Sequence, residues 1–167
     1  MPIDQMRLFP DGESKNVRLY IEHDKTVDQW LVERHYLHCV PAGAVFRMCF
    51  KDDAGRVVGC MMWGRPTSRK IDQEKVLELT RMHFIDDTPP FIESHCLAMA
   101  RKYIRKHHNR IKGIIAYSST GAGHEGTVYE ADGWFELGSG RGGGSWESRE
   151  NRTNRDLSKK IRWVRSP

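Results

Sequence analysis

Two apolar runs joined by a short polar turn most restrict the folds open to this chain. The runs AVFRMCF (44–50) and RVVGCMMWG (56–64) flank the turn sequence DDAG. This pattern is typical of an antiparallel hairpin. The alternating segment KVLELTRMHF (75–84) follows and is predicted to add a third strand to the same meander. The chain is therefore expected to build on an antiparallel sheet.

Helices and further strands are predicted on both sides of this meander. VRLYIE (17–22) predicts a strand, and Thr26 with Gln29 fits a capping box before a helix that runs to about Tyr36. After Pro90, apolar residues recur at helical spacing, which predicts the longest helix, beginning near Pro89. The remaining predicted elements are the strand IKGIIAY (111–117), a helix from about His124 to Ala131, the strand WFEL, and a last strand IRWV (161–164). This order predicts a single domain over residues 1–167, an α/β (mixed α+β) sheet with helices on both faces.

The positive charge of the chain is concentrated in its basic C-terminal segment, 138–167. The whole chain has a net charge of +5, and this segment alone holds eight basic and three acidic residues. Arginine neutralises phosphates and tryptophan offers a stacking surface, so the combination favours nucleic-acid binding. The residues predicted to bind it are Arg141, Trp146, Arg149, Arg152, Arg155 and Trp163. A solvated basic tail is the alternative, although it needs no tryptophan.

Several classes of protein are excluded by composition. The longest apolar run, VVGCMMWG, is too short to span a bilayer, and acidic Asp4 without an apolar stretch behind it argues against a secretory signal. The four cysteines form no CxxC motif, so they indicate neither a zinc ribbon nor a disulfide framework. We therefore expect reduced, partly buried thiols in a cytoplasmic protein that does not enter a membrane.

A glycine loop follows the predicted strand IKGIIAY. Gly121, Gly123 and Gly126 spell GxGxxG between a strand and a helix, but only 41 residues follow Gly126, too few for a complete dinucleotide-binding sheet. The loop is either a tight turn or a place where a ligand approaches the backbone. Residues that could reach a pocket beside it are Tyr117, His124 and Tyr129.

Two further groups of side chains could bind ligands. His35 and His38 share a helix face near Cys39 and could ligate a metal. The alternative is a solvated helix C-terminus, where histidine interacts favourably with the helix dipole. Ser94 lies in the first turns of the longest helix, where free amides favour an anion such as phosphate. An ordinary surface serine is the alternative there.

Most of the chain resembles a known family. IIAYSSTGAGHEGTVYEADGWFELG, with GGSWESRENRTNR and KKIRWV after it, is similar to the Mom family of bacteriophage DNA-modification proteins, and the resemblance extends over about residues 35–164. That family is similar in fold to the GCN5-related N-acetyltransferases (GNAT). The resemblance implies a GNAT-like central mixed sheet in which acetyl-CoA lies between the fourth and fifth strands, here LELTRMHF and IIAY.

The resemblance also implies roles for individual residues. The residues implied to bind acetyl-CoA are Arg81, Met82, His83, Ser94 and Ser119. Tyr129 falls where many acetyltransferases keep a tyrosine that can protonate the leaving thiolate. In place of the usual phosphate-loop residues this chain has Pro89, Ile92 and Ser94, and in place of the family's Tyr-Ala-Asp it has residues 117–119, Tyr-Ser-Ser.

The activity implied by the resemblance is alteration of the exocyclic amine of adenine in double-stranded DNA, by an acetamido-type group, to evade restriction in the host cytoplasm. The adenine is expected to flip into a pocket. The residues implied to handle it are His35, Tyr36, Tyr117, His124 and Tyr129, and a redox iron is a secondary expectation. The alternatives are an ordinary N-acetyltransferase for a protein or small amine, and a non-catalytic nucleic-acid-binding module.

Overall fold

The predicted order of elements is confirmed. The structure, a computed structural model, describes residues 16–120, 126–141 and 159–167. Its elements in chain order are β1 (Arg18–Glu22), α1 (Thr26–Arg34), β2 (Ala44–Lys51), β3 (Val57–Gly64), β4 (Val76–Phe84), α2 (Ile92–His107), β5 (Gly113–Ser119), α3 (Thr127–Ala131), β6 (Phe135–Arg141) and β7 (Lys159–Arg165).

Seven strands form one mixed sheet with the order β1-β2-β3-β4-β5-β7-β6. Neighbouring strands are antiparallel, except that β4 and β5 are parallel. β7 therefore lies between β5 and β6, although β6 comes before it in the chain. The hairpin turn is closed by Asp52, whose carboxylate accepts the backbone N–H groups of Ala54 and Arg56 at 3.0 and 2.9 Å.

Helices cover both faces of the sheet, as predicted. On one face α1 buries Val27 and Leu31, four residues apart, against Cys49, Cys60 and Met62. We call this the α1 side. On the other face, the α2 side, lies the larger core. Its members from α2 are Ile92, Cys96, Leu97, Ala100 and Ile104, and Tyr129 of α3 joins them.

The helix starts differ from the predicted ones. Asp24, rather than a Thr26–Gln29 capping box, accepts the Thr26 N–H at 2.9 Å, and α1 ends at Arg34. α2 begins at Ile92 instead of near Pro89, because Pro90 disfavours helical backbone at the preceding residue and Phe91 takes a left-handed conformation with φ +63°. α3 begins at Thr127, and His124 lies outside the described residues.

The thiols are reduced, as predicted: Cys39 is exposed and Cys49, Cys60 and Cys96 are buried. Within residues 16–120, 126–141 and 159–167, no helix has the length and apolarity needed to cross a bilayer.

Candidate active site

The sheet is open between β4 and β5. These parallel strands pair only from Val76 with Gly113 to Leu79 with Ala116. Beyond that point β4 continues to Phe84 and β5 to Ser119 without pairing to each other. We call this separation the β4–β5 opening; it lies where the resemblance implies that acetyl-CoA binds.

A β-bulge in β4 marks the start of the opening. Met62 pairs with Arg81 while its neighbour Trp63 pairs with Leu79, so Thr80 is an extra residue in β4. The Thr80 hydroxyl donates to the carbonyl of Met62 at 3.0 Å and holds this geometry. A bulge bends its strand and increases the local twist, which accounts for the departure of β4 from β5.

The three β4 residues predicted to bind the cofactor lie beyond the bulge, on two faces. Met82 packs against the α2-side core. The His83 ring centre lies 5.6 Å from that of Trp30 in α1. Arg81 donates through Nε to the carbonyl of Cys39 at 2.9 Å, so it ties β4 to the segment after α1.

That segment carries His35 and Tyr36, whose rings stack with centres 4.5 Å apart. His35 is only 6% exposed, and the Leu37 N–H donates to its Nδ1 at 3.2 Å, whereas Tyr36 is 42% exposed. His38 has turned away from this pair, with Nδ1 2.9 Å from the Val32 carbonyl oxygen. Among the described side chains, no three His, Cys, Asp or Glu residues converge on a possible metal position, so these residues do not form the donor set expected for iron.

Tyr129 is the buried tyrosine of the site. Its ring lies 5.2 Å from Trp134 and 5.9 Å from Trp163, centre to centre. Burial, and secondarily the nearby Tyr36, raises the pKa of Tyr129 well above the ordinary value for a phenol. Tyr129 therefore keeps its proton at neutral pH.

The prediction that Trp163 stacks on nucleic-acid bases is wrong. Trp163 is 2% exposed, and its Nε1 donates to the Ser118 hydroxyl at 2.9 Å. Side chains alternate along a strand, and this position of β7 faces the α2-side core, where the indole packs on Tyr129. Trp163 is thus a wall of the candidate site rather than a surface group.

Gly126, the last glycine of the GxGxxG sequence, is required by this wall. Its φ is +84°, and a Cβ built on it would lie 2.3 to 2.5 Å from atoms of the Trp163 indole. The glycine therefore lets the start of α3 approach the tryptophan closely. This agrees with the interpretation of the loop as a tight turn at its last glycine; Gly121 and Gly123 lie outside the described residues.

Replacing Gly126 by alanine should destabilise the protein more than the same change at Gly55. Gly55 has a similar φ of +80° but open space around it. In both variants the left-handed backbone should lower the free energy of unfolding by about 1–2 kcal/mol. The clash with Trp163 should add about 1–3 kcal/mol at Gly126 alone. Urea unfolding of both variants measures the difference, and equal losses would show that the indole moves aside freely.

The α1 side of β5 and β7 carries polar and cationic side chains. Tyr117 pairs with Arg162, whose guanidinium lies 5.8 Å from the tyrosine ring centre, and Ser119 pairs with Lys160. Burial raises the pKa of Tyr117, and Arg162 opposes the shift. Sequence reasoning selected Tyr117 and Ser119 but missed the two cations, which follow from the alternation of KKIRWV once Trp163 is known to point inward.

Phe135 of β6 extends the same surface. It pairs with Val164, and opposed residues of antiparallel strands share a face, so Phe135 lies on the side of Arg162. Its side chain is 73% exposed. An exposed aromatic beside cations is a stacking surface that sequence reasoning assigned to tryptophan instead.

Glu78 is a buried acid on the α1 side of β4. Its carboxylate accepts the Thr67 N–H at 2.7 Å and the Thr67 hydroxyl at 3.2 Å. Burial raises the pKa of Glu78, while Arg81 and Lys160 act in the opposite direction. Sequence patterns do not reveal this residue, because the burial of one charged side chain in an alternating strand depends on what covers it.

An ion pair behind Tyr129 fixes the position of its neighbours. Arg101 of α2 donates to both carboxylate oxygens of Asp132, at 2.8 and 2.7 Å, and Trp134 Nε1 donates to one of them at 2.8 Å. Arg165 of β7 donates to the Asp132 carbonyl. This Asp132 clamp joins α2, the end of α3 and β7 around the Tyr129 ring.

The structure describes only some of the other predicted residues. Ser94 lies in the first turn of α2, where its hydroxyl donates to the Phe91 carbonyl at 3.1 Å. The N-terminus of α2 has no side-chain cap. Arg141 is the last residue of β6. The predicted residues that lie outside the described residues are His124, Trp146, Arg149, Arg152 and Arg155.

Comparison with solved structures identifies the fold. A putative phosphinothricin N-acetyltransferase matches with a TM-score of 0.62 and 13% identity, over 90% of this chain and 98% of that one. Spermidine N-acetyltransferase from Vibrio cholerae, in complex with CoA and spermine, matches at 0.63 and 11%, over 92% and 96%. Ribosomal-protein-S5-alanine acetyltransferase from Vibrio fischeri matches at 0.64 and 11%, over 93% and 95%. The fold is therefore that of the GNAT acetyltransferases, as predicted.

At the level of sequence, the model of the Mom protein family matches residues 19–166. No curated protein matches the chain.

Proposed function

The chain belongs to the Mom protein family, and from that membership we propose that it is an enzyme that modifies the exocyclic amine of adenine in double-stranded DNA with an acetamido-type group, using an acetyl-CoA-type pocket. In an infected cell this activity would protect phage DNA from restriction in the host cytoplasm. The observation that carries the proposal is the β4–β5 opening directly beside the cationic α1 side of β7. It brings the unpaired ends of β4 and β5, where a cofactor could bind, close to a cationic surface that suits a polyanion.

The residues around the opening suit acetyl-CoA. Past Leu79, the edge of β4 that faces β5 has backbone N–H and C=O groups that no longer pair with that strand, and the amide-rich arm of CoA could bind along it as an added strand does. The uncapped amides at the start of α2, with the Ser94 hydroxyl, suit its phosphates. The cofactor would supply an acetyl group activated as a thioester. A solved GNAT relative of this fold holds CoA.

Tyr129 and the His35–Tyr36 pair have distinct roles in this proposal. The Tyr129 phenol is protonated at neutral pH, so it could donate that proton to a leaving thiolate. Tyr36 is exposed and stacked on buried His35, so it presents a fixed aromatic surface to a flipped adenine. Tyr36 lies near enough to Tyr129 to influence its pKa, so an adenine amine held by Tyr36 could come close to Tyr129.

DNA would lie across the α1 side of β7 and β6. α1 itself contacts β2, β3 and β4, so β7 and β6 lie beyond it. Arg162 and Lys160 can neutralise phosphates there, and exposed Phe135 can stack on an unpaired base. The arginines of the basic segment, which lie outside the described residues, would extend this contact.

Analysis of nucleosides tests the proposal. Plasmid DNA from cells that express the protein should contain a deoxyadenosine derivative heavier by an acetamido-type group, detected by mass spectrometry. DNA from cells expressing His35→Ala at the same level should contain only ordinary deoxyadenosine. Unmodified adenine in cells with confirmed expression of folded wild-type protein contradicts the proposal.

A second candidate is an ordinary N-acetyltransferase for a protein or small amine. The observation that favours it is the fold, which the chain shares with enzymes named for spermidine and for a ribosomal protein. It predicts turnover of acetyl-CoA with an amine acceptor in the absence of DNA, and N-acetylated rather than acetamido-bearing product. A non-catalytic DNA-binding module would instead bind DNA equally well as the wild type and as Tyr129→Phe, without taking up acetyl-CoA.

A further inference from the structure

The segment between β3 and β4, residues 65–75, is held in one shape by two side chains. We call it the β3–β4 loop. From outside the loop, buried Glu78 accepts both the N–H and the hydroxyl of Thr67. From inside it, Gln73 Nε2 lies 3.1, 3.1 and 3.0 Å from the carbonyl oxygens of Pro66, Ser68 and Ile71. The backbone of the loop is therefore fixed by side-chain hydrogen bonds instead of by helix or strand pairing.

This fixed loop presents three exposed cations: Arg65, Arg69 and Lys70. Within the described part of the chain, none of them forms an ion pair. Elsewhere in the same region arginines do pair, as Arg56 does with Asp87 and Arg101 with Asp132. In the loop, the carboxylate of Asp72 accepts the backbone N–H groups of residues 74 and 75. The three cations thus remain available to an external anion.

The loop lies on the α1 side of the sheet. Leu77 and Leu79 of β4 belong to the α2-side core, so Glu78 between them points the opposite way, and it holds Thr67 there. Lys160 of β7 is close enough to Glu78 to act on it electrostatically. The loop therefore lies over the same face of the sheet as Lys160 and Arg162, and it joins β4 at the end where β4 still pairs with β5.

We propose that the β3–β4 loop is a second contact for the DNA backbone, in which Arg65, Arg69 and Lys70 bind phosphates on the α1 side of the sheet, in addition to the contact at β7. The proposal rests on the proposed function, since it takes double-stranded DNA as the partner. A loop already held by Glu78 and Gln73 loses little conformational freedom on binding. Phosphate contacts from both β7 and the loop would hold the duplex against the α1 side while one adenine leaves the stack.

The salt dependence of DNA binding tests the loop. In the full chain, Arg65→Gln, Arg69→Gln and Lys70→Gln are combined, and binding to a short duplex is measured between about 50 and 200 mM salt. Three lost phosphate contacts should reduce the slope of log K against log salt by about 2–3 and weaken binding at low salt. The matched control combines Lys102→Gln, Lys106→Gln and Arg110→Gln, which removes the same charge from exposed positions on and after α2. It should bind with nearly the wild-type slope.

A variant of Gln73 separates the effect of the loop's conformation on DNA binding from the effect of its charge. Gln73→Leu keeps all three cations but removes the hydrogen bonds that fix the loop, so it should weaken binding several-fold with the slope retained. The proposal is overturned if the triple loop variant keeps the wild-type affinity and slope, or loses no more than the control. If that occurs while the wild type still modifies adenine, only the loop inference fails. If the wild type binds no duplex even at about 50 mM salt, the proposed function fails with it.

Discussion

Tyr129→Phe should reduce modification of adenine by about 10²- to 10⁴-fold, the usual contribution of a positioned general acid. The change removes only the hydroxyl, so the ring should stay packed between Trp134 and Trp163. The rate at which modified deoxyadenosine accumulates in DNA, followed by mass spectrometry, measures the effect. Binding of the duplex should be unchanged.

The matched control for this variant is Tyr103→Phe. Tyr103 is a half-buried tyrosine of α2 whose ring contacts Phe46 and His107, away from the β4–β5 opening. It should retain wild-type activity. Activity within a few-fold of wild type in Tyr129→Phe would show that the phenol serves packing alone and that the proton comes from another group.

Asp132→Asn should lower the free energy of unfolding by about 3–5 kcal/mol, because it leaves the Arg101 guanidinium buried without its counter-charge. The side chains of this pair are only 13% and 4% exposed, so water cannot take the place of the carboxylate. For a chain of this size the midpoint of thermal unfolding should fall by about 10 °C. Circular dichroism on heating, with urea unfolding beside it, measures both quantities.

Glu130→Gln serves as the control for Asp132→Asn. Glu130 lies two residues away on α3, is exposed, and forms no ion pair within the described part of the chain. Its neutralisation should change stability by less than about 0.5 kcal/mol. If Asp132→Asn is equally mild, the clamp around Tyr129 is held by packing of the aromatic rings and not by charge.

The sheet could be predicted from the sequence because its signals are local. The apolar runs 44–50 and 56–64 flank a turn, and residues 75–84 alternate, so each strand can be located without knowing its neighbours. The start of α2 could not be placed as well. Phe91 takes a left-handed conformation, and a phenylalanine in the sequence does not indicate one. The proline pair indicates that regular structure is interrupted after β4, but it does not show at which residue the next helix begins.

The candidate site was less predictable, because its residues meet through long-range contacts. Trp163 lies among arginines in the sequence, and only the register of β7 beside β5 shows that it points inward while Arg162 points outward. Glu78 and Phe135 were missed for the same reason. The nearness of Tyr36 and Tyr129 came from the resemblance to a family, since spacing along the chain does not bring them together.

The position of β7 inside the sheet limits how DNA binding can be studied. Since β7 separates β5 from β6 and contributes the indole that packs on Gly126, a truncation from residue 138 would remove a central strand along with the arginines. Loss of activity in such a fragment would therefore report misfolding as readily as lost affinity. The residues proposed to bind DNA and the residues that hold the fold alternate along β7, so single-site charge substitutions are needed to separate the two roles.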